Sequence, residues 1–332
     1  MPDTVTAVRE LTYAEAIREA LAEEMRRDPT VFVIGEDVAE AGTPFKVVKG
    51  LVDEFGKARV VDTPISEAGF TGLAVGAAMA GMRPVVELMY LDFLGVCLDQ
   101  LLNQAAKLPF MTGGAAQMAL TVRTQFGAGR SSGSQHSQSL EALLAHIPGL
   151  SVVMPSTPAD TYGLLRAAIQ DPNPVVFIEN RLLYGMKGPQ PSADHIVPIG
   201  VSRVVRQGAD VTVVSVSRMV HEAVAAAETV AADGVSVEVI DLRTVAPLDV
   251  APILESVGKT GRLLIAHEAV IPFGIGAEIA AVVAREAFWD LDAPIERVGA
   301  ASTPPPYAPD LEKAWLPDRD NIASAVRRLA EV

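Results

Sequence analysis

The chain has 332 residues, 49% of them hydrophobic and 20% charged, so it holds ample apolar material for packed cores and is not a disordered chain. At roughly 150 residues per domain, the length suggests two domains. A net charge of −14 excludes a general nucleic-acid-binding surface and argues against docking on anionic membranes.

Strand-like β-branched runs alternate with Ala-rich helical stretches from the start. Thr12-Tyr-Ala-Glu15 reads as a capping box opening a helix to about Arg27, followed by a strand at Val31–Ile34. Next come a strand at Arg59–Asp62, a helix near Glu67–Met82, a strand at Pro84–Met89 and a long helix from about Phe93 to Lys107. A strand at Leu120–Arg123 leads into a polar, Gly-rich loop from Thr124 to Ser137. Then follow a helix at Ser139–His146, a strand at Ser151–Met154, a helix at Pro158–Gln170 and a strand at Val175–Glu179. Such alternation predicts a parallel sheet with helices on both faces.

Proline and glycine between Tyr184 and Gly200 break the rhythm, which resumes at Val211–Val216. It continues through a helix at Val220–Asp233, a strand at Val235–Ile240, a helix after Asp249, a strand at Leu263–Ala266 and a helix at Gly276–Ala287. A short strand at Ile295–Val298, the TPPPYAP loop and a terminal helix follow. The expected class is α/β with two doubly wound domains, residues 1–185 and 201–332, joined by a linker at 186–200.

Cys97 stands alone and cannot form an internal disulfide, which fits a reducing, cytoplasmic setting. The start of the chain is mixed in charge and does not read as a signal peptide. The longest uncharged apolar-leaning run, Ala68 to Met82, is too short for a membrane span.

Several motifs carry less than they suggest. GRSSG at 129–133 matches the nucleophile-elbow pattern but lacks the sharp strand-to-helix turn that gives it meaning. Gly274 and Gly276 open a helix, yet Ile279 replaces the third glycine of a dinucleotide loop, so close helix–sheet packing is the better reading. Histidines 136, 146, 195, 221 and 267 show no paired zinc-ligand spacing.

The most informative segment runs from Asp62 to Ala80, where a strand ends and Glu67 sits in the first turn of a helix with small residues at 72, 76 and 80. From spacing alone, Glu67 complements the helix dipole and the small residues let another helix approach.

Around it stand GEDV (35–38), DTPISEAGF (62–70), GMRPVVE (81–87), QHSQS (135–139), PGLSVVMPSTPAD (148–160), NPVVFIE (173–179) and EVIDLRTVAPLD (238–249). Together they resemble the β subunits of the thiamine diphosphate-dependent first component of 2-oxo acid dehydrogenase complexes, a family that includes pyruvate, branched-chain and acetoin dehydrogenases. The resemblance implies an N-terminal pyrimidine-binding domain and a transketolase C-terminal-like domain. It implies that Glu67 contacts N1′ of the cofactor pyrimidine, where a shared proton helps activate the thiazolium carbon. Met89 and Phe93 match positions lining the pyrimidine pocket, and Glu36 matches an acid beside it. His136 matches a histidine that faces the substrate and assists acyl transfer to lipoyl groups. Backbone carbonyls of Leu120, Ala168, Ile169, Asp171 and Asn173 match a potassium site of some relatives.

No Gly-Asp-Gly motif for Mg²⁺ and diphosphate occurs in the chain. The resemblance places that half of the cofactor site, with its Mg²⁺, on an α subunit in an α2β2 heterotetramer served by a lipoyl acyltransferase. The donor it implies is a small 2-oxo acid, pyruvate first, or acetoin, toward which the residues RTQFGAGR (123–130) lean. Other readings are the C-terminal half of a split transketolase and a non-catalytic assembly subunit.

Overall fold

The computed structural model describes residues 9–331; the reading of the chain's start as no signal peptide falls partly on residues 1–8, outside that range. The capping box forms as its spacing requires. The Thr12 hydroxyl accepts from the Glu15 amide at 3.1 Å and the Glu15 carboxylate accepts from the Thr12 amide at 2.8 Å, opening a helix at Tyr13–Arg27.

Fourteen strands are described: β1 (Glu10–Thr12), β2 (Val31–Gly35), β3 (Val60–Asp62), β4 (Arg83–Leu88), β5 (Thr121–Phe126), β6 (Ser151–Val153), β7 (Val175–Asn180), β8 (Lys187–Pro189), β9 (Arg203–Arg206), β10 (Val211–Ser215), β11 (Val237–Asp241), β12 (Thr244–Ala246), β13 (Leu263–Val270) and β14 (Glu296–Ala300). They build a seven-stranded sheet in the order β12-β6-β7-β5-β4-β2-β3 and a five-stranded sheet in the order β14-β13-β10-β11-β9. Pairing within these two sheets is parallel except for β12 on β6 and β9 on β11, and β1 and β8 form a separate antiparallel pair. The runs VFVIG, VTVVS and VEVID are buried along their whole length, as strands covered on both faces are, with Glu238 and Asp241 buried among them.

Alternation along each strand divides the cores. Val31, Val33, Val85 and Val175 face the helices Tyr13–Arg27 and Pro158–Gln170. Phe32, Ile34, Val86 and Val176 face the opposite way, into a core that also takes Val214, Ile240 and Ile265 of the second sheet. One apolar core thus spans both halves. A further core beneath the second sheet holds the terminal helix, Arg319–Ala330, through Ile322, Val326 and Leu329.

Several expected elements differ. The long helix from Phe93 to Lys107 is instead a 3₁₀ turn at Leu91–Phe93, an α-helix at Leu94–Asp99, a π-helical stretch at Gln100–Ala105 and a short helix at Leu108–Met111. The loop expected from Thr124 begins later, because Thr124, Gln125 and Phe126 continue β5 against Ile178, Glu179 and Asn180 of β7. Residues 187–189 pair with Glu10–Thr12, and Val197 returns to the first core with 4% exposure.

Gly276 behaves as a packing glycine. A Cβ there would stand 2.8 Å from Nε2 of His267, so the helix Ile275–Glu286 lies directly on β13. Burial pushes the His267 imidazole down to about 4.

A buried ionic network ties the strands under the site. Arg123 grips Glu179 through Nε at 2.7 Å and Nη2 at 3.0 Å, while Nη1 reaches Glu87 at 2.5 Å. Gln125 donates to Glu87 at 2.6 Å and the Tyr184 hydroxyl to Glu179 at 2.8 Å. Burial raises the Glu87 carboxyl, so charge and hydrogen bonding must both be satisfied for this network to stand.

Candidate active site

In the first sheet, β3 lies on one side of β2 and β4 on the other. Chain connections diverge there and leave a crevice at the carboxyl ends of the strands, the usual ligand position in such sheets. Glu36 follows β2 directly, Glu67 begins the helix after β3, and Met89 follows β4. Gly35 allows this convergence, since a Cβ there would lie 2.6 Å from the Glu87 carbonyl oxygen.

Glu67 is 8% exposed in the first turn of the helix Glu67–Met79, whose free N–H groups and dipole favour a carboxylate. Glu36 is half-buried, and its carboxyl is raised by burial and then by the nearby charges of Glu67 and Asp37. Its Oε2 is buried without a hydrogen-bond partner. An orphaned buried carboxylate oxygen beside a second acid asks for a ligand with nitrogen-bound hydrogens. An aminopyrimidine fits that demand. Burial pushes the adjoining Cys97 thiol up to about 11, against the effect of the Thr71 hydroxyl and with that of the Glu67 charge.

The second cluster lies along the same broken helix. Phe93 stands one turn before Cys97, and the His136 ring meets it edge-on at 5.4 Å between centroids. Tyr90 meets the same imidazole at 5.4 Å and Phe45 at 5.8 Å. Met89 is 6% exposed and closes the end of β4.

His136 sits on a loop, yet it is held from both sides. Arg181 donates to the carbonyls of Gly127 and His136, each at 2.5 Å. Asp92 accepts from the amides of Ser137 and Gln138 at 3.2 and 3.0 Å. Because Asp92 precedes Phe93, the turn carrying the aromatic ring also grips the backbone just after the histidine.

The structure therefore brings Glu36 and Glu67 together, and joins Phe93 to His136 beyond them. The potassium expectation fares differently. Arg83 donates to the Ile169 and Asp171 carbonyls at 2.9 and 3.2 Å, the Val175 amide to Leu120 at 2.9 Å, and the Asp171 amide to Ala168 at 3.3 Å. Of the carbonyls expected with Asn173 to bind potassium, those of Ile169 and Asp171 thus face a guanidinium. No role is derived for the ion. Tyr90, Asp92 and Arg181 are the site residues that sequence reasoning missed. Tyr90 and Asp92 lay inside the stretch that supplied Met89 and Phe93, whereas nothing local marks Arg181.

Comparisons with known proteins follow the same lines. Residues 9–187 match the transketolase pyrimidine-binding domain and residues 200–322 the transketolase C-terminal domain. The chain is 46% identical over 330 residues to the acetoin:2,6-dichlorophenolindophenol oxidoreductase subunit beta of Cupriavidus necator, covering 96% of this chain and 97% of that one. It is 48% identical over 323 residues to the pyruvate dehydrogenase E1 component subunit beta of Rhizobium meliloti, covering 97% and 70%. A solved structure described as a split gene transketolase, inactive beta4 tetramer, superposes with a TM-score of 0.80 over 97% of this chain and 98% of that chain. At 22% identity it speaks for the fold alone.

Proposed function

Since the chain belongs to the family of β subunits of thiamine diphosphate-dependent 2-oxo acid dehydrogenases and acetoin dehydrogenases, we propose that it supplies the pyrimidine half of a cofactor site shared with an α subunit. The observation that carries this reading is the carboxylate pair Glu36 and Glu67, with its orphaned oxygen, at the sheet crevice. Thiamine diphosphate, when bound, supplies the nucleophilic carbon that cleaves the donor next to its carbonyl. Glu67 would hold a proton at the pyrimidine N1′, Glu36 would take up a further donor, and Met89 and Phe93 would exclude water from the ring. Mg²⁺ and the diphosphate belong to the α subunit in this proposal, as the chain has no Gly-Asp-Gly motif.

The α2β2 assembly is supported by the apolar side chains left in water around the crevice: Ile65 at 79%, Leu73 at 56% and Val96 at 54% exposure. His136 would face the donor and assist acyl transfer to the lipoyl group of an acyltransferase component. The lone, buried Cys97 suits a reducing compartment, so we place the enzyme in the cytoplasm. No described helix is long and apolar enough to cross a membrane.

For the donor, we infer a small acyl group, pyruvate first. Tyr90 and Phe93 both pack edge-on against the His136 ring, which favours a compact acyl group there. Acetoin is the second reading, favoured by the 123–130 segment. Assay of the reconstituted complex with a dye acceptor tests this: pyruvate or acetoin should turn over faster than 2-oxoisovalerate. A preference for 2-oxoisovalerate would overturn the donor but not the family. Calorimetry of the single chain tests the shared site, because micromolar thiamine diphosphate affinity without a partner would overturn it.

A further inference from the structure

The loop that carries His136 leaves β5 at Gly127 and runs along the second half of the chain rather than along its own sheet. Glu268, on β13 and 4% exposed, accepts the Ala128 amide at 2.8 Å through Oε1. Its Oε2 accepts the Asn180 side-chain amide at 3.0 Å and Arg218 Nε at 3.1 Å. Glu312, 3% exposed in the helix Pro309–Trp315, accepts the Ser131 amide at 2.8 Å. The Ser134 hydroxyl donates to the Pro305 carbonyl at 2.7 Å. Gly127 has φ +99°, and a Cβ there would lie 2.7 Å from Glu268 Oε1 and 2.8 Å from Asn180 Nδ2. Only glycine lets the loop pass so close to the carboxylate.

Burying a carboxylate is costly unless N–H donors compensate it; Glu312 takes such a donor from the loop's backbone, and Glu268 takes one from it beside the Asn180 amide and the Arg218 guanidinium. Glu268 has a second grip, since Asn180 immediately precedes Arg181, the residue bound to the His136 carbonyl. We propose that Glu268 and Glu312 are positioning residues for acyl transfer, through which the C-terminal half of the chain sets where His136 stands. This rests on the role given to His136 above. Misplacing a reacting group by about 1 Å can cost about 10²-fold in rate, so a loop so placed needs such anchors.

The test uses the reconstituted α2β2 complex and two rates, donor-driven dye reduction and acylation of a lipoylated domain. Glu268→Ala and Glu312→Ala should each lower lipoyl acylation tenfold or more while dye reduction falls less than threefold. Glu312→Gln retains an acceptor for the Ser131 amide and should return to within threefold of the parent. Hydrogen exchange at Ala128 and Ser131 should accelerate in the respective alanine variants while β5 stays protected. Should Glu268→Ala prevent assembly, Glu312→Ala carries the same comparison. Unchanged acylation, or equal loss of both rates without faster exchange, would overturn the proposal. His136→Ala runs alongside: parental acylation there refutes the histidine's role itself, whereas lost acylation there with unaffected glutamate variants refutes this inference alone.

Discussion

Arg181 donates to the backbone carbonyl of His136 while its guanidinium lies 5.0 Å from the centre of the Tyr90 ring that the imidazole meets edge-on. One side chain thus fixes both the loop and the aromatic surface beneath it. Arg181→Met leaves two buried carbonyls without this donor, a loss of about 1–3 kcal/mol for each unsatisfied group. The variant complex should bind thiamine diphosphate as the parent does yet acylate lipoyl groups about tenfold more slowly. Parental acylation rates would reduce Arg181 to a stabilising residue.

Glu67→Gln preserves shape but cannot hold a shared proton as a carboxylate does. General acid–base assistance is typically worth about 10²–10⁴-fold, so donor turnover should fall by about that much with assembly unchanged. Steady-state dye reduction together with sedimentation of the complex checks both halves. A loss of less than threefold would remove the proton-sharing role.

Asp241 predicts a pH dependence of stability. It is fully buried, and burial pushes its carboxyl up to about 7, with the Ser156 hydroxyl opposing and Asp160 adding to the rise. The folded chain therefore keeps a proton that the unfolded chain, at its ordinary 3.8, releases. The stability from that proton is fully present below about pH 4 and is lost as pH rises to about 7. Asp241→Asn keeps both contacts, to Ser156 and to the Arg243 amide, and should remove this slope. Urea unfolding at pH 5, 6, 7 and 8 should show the variant gaining on the parent across the series. Parallel curves would mean that Asp241 is ionised when folded.

Most of the first sheet was legible as local pattern, whereas the acids of the crevice stood out only through the family resemblance, since spacing alone gave Glu67 a helix-dipole role. VFVIG and the VVFI run of β7 are apolar throughout, Glu36 follows a strand directly and Glu67 opens a helix. β1, β8, β9 and β12 were illegible because three or four residues become a strand only when a distant partner arrives. Thr124 and Gln125 read as loop because they are polar, yet Gln125 is buried through its bond to Glu87. The break between Asp99 and Lys107 was hidden inside an unbroken apolar periodicity. Arg181, Glu268 and Glu312 act on a loop 45 or more residues away, and no spacing in the chain announces such a contact.

The pairing of β12 with β6 has a consequence for how the chain can be divided. By sequence, β12 belongs with the second half, yet it occupies the outer border of the first sheet. Without it, β6 would present a row of unpaired backbone donors and acceptors to any passing strand, the arrangement that leads chains to stick edge to edge. The stretch around residue 200, which looks like the natural place to cut, would separate a sheet from its own hem. Recombination or gene splitting at that point would not yield two finished modules.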